Sequence, residues 1–327
     1  MVSVIIVNWN GAHLLRQCLD SIFRQSFTDY EIILVDNGSA DNSVQLLESE
    51  YPAVKIVKLA SNQGFAGGNN EGLMYASGEF IVLLNTDATL AENWLEVNVN
   101  AMKTDAAIGS CFAKIVIEGT TLIDSAGDQF SSAFHAVKIG EFEEESRYCE
   151  RRFVTGACAA AVMYRRSMID QIGLFDQDFF LNAEDTDLNM RAWLAGWKCL
   201  FIPESVAYHK VNATIGRLSD TAVYYYSRNI EWVWLKNVPL KPMIKFLPQR
   251  FLYELISFAY YCVLKGKWRP YLQGKIDAYK QLPQVLIKRK NIQRLVKLYS
   301  CDIAAELLGF RDYLRHSVNS LRRTTSS

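Results

Sequence analysis

The sequence predicts an α/β fold: a mostly parallel central sheet flanked by helices, with a C-terminal helical extension. Three observations predict it. Short β-rich apolar runs alternate with segments of helical period through the first part of the chain. A polar cluster stands just past the carboxyl end of each of the first four runs. From Lys236 onward the chain turns basic, aromatic-rich and punctuated by proline.

Residues 2–7 read as the first strand, and residues 14–23 as a helix with Leu15, Cys18, Leu19, Ile22 and Phe23 on one face. A second strand over 31–35 leads to a helix over 43–50 behind the cap candidate Asp41, then to a third strand over 54–59. A helix over 69–76, a strand over 80–84 and a helix over 92–102 complete the alternation. Runs of this kind argue for βαβ units with right-handed crossovers and a sheet buried on both faces. Residues 107–152 weaken into short strands and polar loops, with Glu141, Glu143, Glu144 and Glu145 as an acidic, mobile stretch in which no chemistry is legible. Order returns over 153–164, small and apolar around Gly156, and in a helix near 167–172. A helix starting at Glu184 closes with Gly196, a residue suited to a C′ position. Residues 198–202 are the last strand, with His209 shortly after it.

The 327 residues are 50% hydrophobic and 21% charged, which excludes a disordered or fibrous chain. At about 150 residues per domain the length suggests two, expected at 1–235 and 236–327. Lys+Arg and Asp+Glu both total 35, yet from Lys236 onward 18 basic residues face 5 acidic ones, a net of +13 against −13 before it. Such asymmetry suggests an anionic surface as partner. No nucleic-acid motif accompanies it, which leaves an anionic membrane surface met through the C-terminal region. Residues 246–261 interleave aromatic and aliphatic side chains near Lys245, Arg250, Lys265, Lys267 and Arg269, as an interfacial segment does; core packing is the other reading. The most apolar stretch, 251–264, is too short for the roughly 20 residues of a spanning helix and contains Glu254. No transmembrane helix and no secretory signal are expected. The 7 cysteines form no C-x-x-C pair, so neither a zinc cage nor a disulfide framework is indicated and the reducing cytosol fits.

The clusters at the strand ends are Asn8-Trp9-Asn10-Gly11, Asp36-Asn37-Gly38-Ser39, Asn62-Gln63-Gly64 and Asn85-Thr86-Asp87. Asn, Asp and Gly form turns anywhere, but in open α/β sheets this edge binds ligands, and four clusters at one edge favour a site. Asp87 at a strand tip can hold Mg²⁺ or Mn²⁺, or cap the next helix. Asp36 suits hydrogen bonds to a ribose or base, or a tight turn. The glycines from Gly64 to Gly68 let backbone approach a ligand before a helix opens, although the run matches neither a P-loop nor G-x-G-x-x-G. Glu184, Asp185 and Asp187 gather at one helix start, where the macrodipole favours each acid by about 0.3–1 kcal/mol. Three acids exceed what a helix start needs. Asp185 can serve as a general base, with Glu184 and Asp187 holding it or pairing with Arg191. His209 reads as a metal ligand or a structural imidazole.

Residues 2–10, 34–39, 62–66, 84–87 and 184–188 occur in the order and spacing of one large family. The chain resembles, over about residues 2–215, a family 2 glycosyltransferase of GT-A nucleotide-diphospho-sugar transferase fold, especially the rhamnosyltransferase-like members that build bacterial surface polysaccharide. The resemblance implies inverting transfer of a sugar, with rhamnose from dTDP-rhamnose leading, from a nucleoside diphosphate to a hydroxyl of a glycan or lipid-linked glycan, on the cytoplasmic face of the inner membrane. It places donor binding on Asn8, Asp36, Asn62, Gly68, Asn85 and Asp87, the base on Asp185, and the divalent cation, Mg²⁺ or Mn²⁺, on Asp87 and His209. Many members carry two acids in a D-x-D pattern where this chain has Asn85-Thr86-Asp87. A single carboxylate holds a cation more loosely, and a degenerate metal motif also fits a non-catalytic nucleotide-sugar-binding or scaffold protein.

Overall fold

Each strand and helix expected in the first hundred residues is present in the computed structural model, which describes residues 1–210 and 218–315; residues 211–215 of the resemblance lie outside them. In chain order these are β1 (Val2–Asn8), α1 (Ala12–Phe23), β2 (Tyr30–Asp36), α2 (Ser43–Glu50), β3 (Lys55–Lys58), α3 (Gly64–Met74), β4 (Phe80–Asn85), the short β5 (Ala88–Leu90) and α4 (Trp94–Thr104). The N-cap of α2 is Asn42. Asp41 instead accepts the Ser43 N–H at 3.1 Å and the Ala12 N–H at 3.0 Å, tying α2 to α1.

Helix α3 starts five residues before the expected position, because its glycines serve packing as well as the turn. A Cβ on Gly68 would lie 2.6 Å from Val7 Cγ1, and one on Gly72 would lie 2.5 Å from Ile5 Cγ2. Only residues without a side chain let α3 lie this close to β1.

The segment expected as short strands and polar loops also carries one long strand of the main sheet. It holds β6 (Ile108–Ile117), buried along almost its whole length, then β7 (Ile123–Ser125), β8 (Asp128–Phe130), β9 (Ala136–Lys138) and β10 (Arg152–Val154). The acidic stretch is not loose either. Backbone bonds join Ile123 N to Glu143 O at 2.9 Å and Phe142 N to Ile123 O at 2.9 Å, and Glu141 is buried. There follow β11 (Ala161–Arg165), α5 (Arg166–Ile172), α6 (Glu184–Leu194) and β12 (Lys198–His209), which runs beyond its expected end through a bulge between Ile202 and Val206.

The main sheet has the order β10-β12-β6-β11-β4-β1-β2-β3, with β5 on β12 and β7 on β6. Pairs β1–β2, β1–β4, β2–β3 and β6–β12 are parallel, and β11 lies antiparallel between β4 and β6. One face packs on α1, α2 and α4, the other on α3, α5 and α6. Both faces are therefore dry, as near-continuous Val, Ile and Leu in β1, β2 and β4 require.

The C-terminal region is helical: α7 (Asp220–Asn237), α8 (Leu240–Lys245), α9 (Leu247–Phe258) continuing as a π-helical turn over Ala259–Leu264, α10 (Trp268–Lys280), α11 (Leu282–Gln293) and α12 (Ser300–Glu306). The boundary expected at 235/236 falls inside α7. A third core joins Met190, Trp193 and Leu194 of α6 to Trp232, Val233 and Trp234 of α7 and to Phe130 and Phe134 near the β8–β9 hairpin. Lys236, 2% exposed, lies 2.8 Å from Asp187 and 2.7 Å from Asp176. Among the described residues no helix is long and apolar enough to cross a membrane, and none of the seven cysteines is in a disulfide.

Candidate active site

Parallel pairing brings the carboxyl ends of β1, β2 and β4 level, with Asn8 beside Asp36 and Val7 beside Asn85. Beyond that edge opens a cavity of about 960 Å³. Its wall includes Asn62, Asn85, Asp87, Glu184, Asp185 and His209, so these six expected site residues face one space.

Asn8, Asp36 and Gly68 do not reach that wall. Asn8 is fully buried and donates from Nδ2 to Asp36 Oδ1 at 3.3 Å and to Ser39 Oγ at 3.2 Å; Asp36 also accepts the Ser39 N–H at 3.3 Å. They brace the strand tips from beneath, while Trp9 and Asn37, each one residue on, line the cavity. Asn37 donates to Asn62 Oδ1 at 3.1 Å and to Gly64 O at 3.0 Å, which links the second and third tips. Gly68 is set against Val7 rather than the wall.

Asp187 and Arg191 also lie off the wall. Arg191 donates to Asp187 Oδ2 at 2.9 Å and to the carbonyls of Ile172, Gly173 and Leu174. This anchors the start of α6 to the preceding turn. Phe180, Asn182 and Ala183 take left-handed φ of 61°, 65° and 64° just before it. Non-glycine residues there cost on the order of 1–3 kcal/mol each and persist only where neighbours over-determine them. Here Asn229 of α7 is the neighbour, donating from Nδ2 to the carbonyls of Phe179, Leu181 and Asn182 at 2.9, 2.8 and 2.7 Å.

Burial pushes the Asp185 carboxyl above its ordinary range, against hydrogen bonds from the Thr186 and Ala159 backbone. Burial, then the Asp185 charge, raises Glu184 to about 8. Asp128, also on the wall, is raised to about 7, first by burial and then by Asp185. Three carboxyl groups thus share one low-dielectric pocket in which not all are charged at neutral pH.

On the same cavity His209 Nε2 lies 3.3 Å from Asp87 Oδ1, and His209 Nδ1 lies 3.1 Å from Asp124 Oδ2. Burial opposes a charge on His209, but hydrogen bonds to Asp124 and Asp87 overcome it and raise its pKa to about 9. Burial likewise opposes the Asp124 charge; Lys138, at 2.5 Å, and His209 hold that carboxyl well below the usual range. No group of three or more potential metal-ligating side chains occurs among the described residues. The donor set nonetheless fits a divalent cation with two protein ligands: an imidazole whose far nitrogen is held by a carboxylate, aimed at a second carboxylate, beside a space open to phosphate and water oxygens.

Sequence reasoning missed Asp124, Asp128, Lys138 and Glu141, all from the 107–152 segment. The signal was Ile123-Asp124-Ser125-Ala126-Gly127-Asp128, two acids four apart among small and apolar neighbours. Also missed was the far wall, built by the C-terminal region from Tyr226, Tyr253, Tyr260, Tyr261 and Lys265.

A family model described as Glycosyl transferase family 2 matches residues 3–173. An uncharacterized glycosyltransferase of Nostoc sp. is 26% identical over 224 residues, 67% of each chain. Among solved structures, GalNAc-T7 with UDP, GalNAc and Mn²⁺ is similar in fold with a TM-score of 0.58 at 18% identity, covering 80% of this chain and 57% of that one. The mannosyltransferase PcManGT from Pyrobaculum calidifontis, in complex with GDP-Man and Mn²⁺, gives 0.53 at 16% identity, covering 99% and 86%.

Proposed function

The chain belongs to glycosyl transferase family 2, and we propose that it is an inverting enzyme of bacterial cell-surface polysaccharide synthesis. It moves a sugar from a nucleoside-diphosphate donor to a hydroxyl of a glycan or lipid-linked glycan. Rhamnose is the sugar we test first, on the resemblance of the sequence motifs alone. The single observation that carries the reading is that the Asp87–His209 pair and Asp185 face one cavity.

A divalent cation held by Asp87 and His209 would neutralise the negative charge that grows on the departing diphosphate; both solved structures named above hold Mn²⁺ and a nucleotide. Asp185 receives the acceptor's proton as the hydroxyl attacks. Its raised pKa suits the task, because a base works best when its pKa approaches the working pH. Glu184, mostly neutral at pH 7, adds little repulsion beside it. Attack and departure on opposite faces give inversion, with no carboxylate needed as a covalent nucleophile. Asn62 and Asn85 offer amides to the donor, with Asn37 holding the Asn62 tip in place. The tyrosine wall suits the acceptor, since flat apolar ring faces with hydroxyl edges match a sugar ring.

The membrane reading has its own support. Leu247, Phe251, Leu255 and Leu264 are at least half exposed, beside Lys245, Lys265 and Lys267. Ile256 lines the cavity and is itself 37% exposed, so this apolar face continues to the acceptor wall. A peripheral position on the cytoplasmic membrane face follows from that reading.

Calorimetry with UDP, GDP, dTDP and their sugars, with and without Mn²⁺, together with a donor-hydrolysis assay, tests the proposal. Binding of one donor with turnover is expected. Binding without turnover favours the scaffold reading, and no binding of any nucleotide overturns both.

A further inference from the structure

We propose that Asp124 is a positioning residue that sets the divalent-cation affinity of this chain by fixing the His209 ring, an inference that rests on the cation reading above. Asp124 lies on β7, His209 at the end of β12, and β6 runs between them: Ile115 pairs with Ser125 on one side and Ile117 with His209 on the other. The register therefore sets the two side chains together, although 85 residues separate them in sequence.

Each oxygen of the Asp124 carboxylate has a separate partner. Oδ2 faces His209 Nδ1 at 3.1 Å, and Oδ1 faces Lys138 Nζ on β9 at 2.5 Å. Asp124 is 2% exposed, which shields its bond to the buried His209 from water. Lys138 thus orients the carboxylate, and the carboxylate orients the imidazole. Where a cation takes the place of the Nε2 proton, the proton that stays on Nδ1 is donated to Asp124, and the Nε2 lone pair would face the ion beside Asp87.

The need for such a device follows from the strand tip. Asn85 stands where a D-x-D pattern would supply a second acid, so the imidazole is half of the protein's donor set. In a two-ligand site, rotation of one ligand removes half of the coordination the protein offers. A carboxylate behind the ring keeps that from happening and raises the basicity of Nε2.

Mn²⁺ calorimetry in the presence of the nucleoside diphosphate that binds the wild type tests this on the full chain. Asp124→Leu should weaken Mn²⁺ about 10- to 100-fold, the range typical of outer-shell partners. Asp124→Asn, whose Oδ1 still accepts from Nδ1–H, should fall between it and the wild type. ¹⁵N spectra of His209 in the Mg²⁺ complex should show the Nδ1–H tautomer in the wild type and in Asp124→Asn. Should Asp124→Leu fail to fold, the Asn variant and the ¹⁵N spectra decide. Unchanged Mn²⁺ affinity in Asp124→Leu, with only the melting temperature lowered, overturns the positioning role and leaves the cation reading intact. A wild type that binds nucleotide but no divalent cation overturns the cation reading itself.

Discussion

Asn229 Nδ2 lies 2.7 Å from the carbonyl oxygen of Asn182, so the C-terminal helix α7 holds the loop that presents Asp185. The bond matters because the loop is strained, with Asn182 and Ala183 both left-handed. Asn229→Leu removes the side-chain donor that the part-buried carbonyls of Leu181 and Asn182 share, while Phe179 O still accepts from Arg228. Stability should fall by about 1–3 kcal/mol, and transfer should fall by about 10²-fold, the cost of a base displaced by about 1 Å. Thermal melts beside kcat measurements check both; a loss of stability with kcat unchanged would show that the clamp does not position the base.

Asp185→Asn removes the proposed base while keeping the side chain's shape. Turnover should drop by about 10²- to 10⁴-fold, the usual contribution of a general base. Affinity for the nucleoside diphosphate should stay within about twofold by calorimetry. Retained turnover removes the base assignment.

The carboxyl cluster makes stability fall as pH rises. Glu184, about 8 in the folded chain against an ordinary 4.5, and Asp128, about 7 against 3.8, keep protons that the unfolded chain releases. Between those limits the native state binds more protons than the unfolded one, and ΔG of unfolding decreases with pH. The stabilisation is complete below about pH 4 and lost as pH passes through 7 to 8. Melting temperatures of the apo chain from pH 5 to 9 should decline, and Glu184→Gln should decline less steeply. An equal slope in the variant would refute this origin.

The exposed face of α9 should bind anionic vesicles at low ionic strength and release them as salt rises, since part of the attraction is screened. Phe251 and Leu255, 63% and 50% exposed, are its centre. The double variant Phe251→Ser, Leu255→Ser should lose sedimentation with phosphatidylglycerol vesicles while its melting temperature holds. A wild type that stays in the supernatant at low salt ends the membrane reading.

The sequence showed the strands of the first half and their carboxyl edge, because a two-sided buried strand reads as a run of Val, Ile and Leu and its tip as Asn, Asp and Gly. It also placed Asp87, Asp185 and His209, which the fold brings to one cavity. At Gly68 the absence of a side chain permits helix–strand contact. At Asn8 and Asp36, side chains that looked ligand-facing bond to each other beneath the wall.

By itself, then, the amino-acid order determined the periodicity of each element and the identity of the polar residues at the sheet edge, both properties of near neighbours. Tertiary structure alone decided that Asp124 stands behind His209, that Asn229 clamps the strained loop and that tyrosines of the C-terminal region close the cavity. The physical reason is that hydrogen bonds and burial act through space. Strand register and helix packing join residues 85 and 47 positions apart, a proximity that no local pattern records.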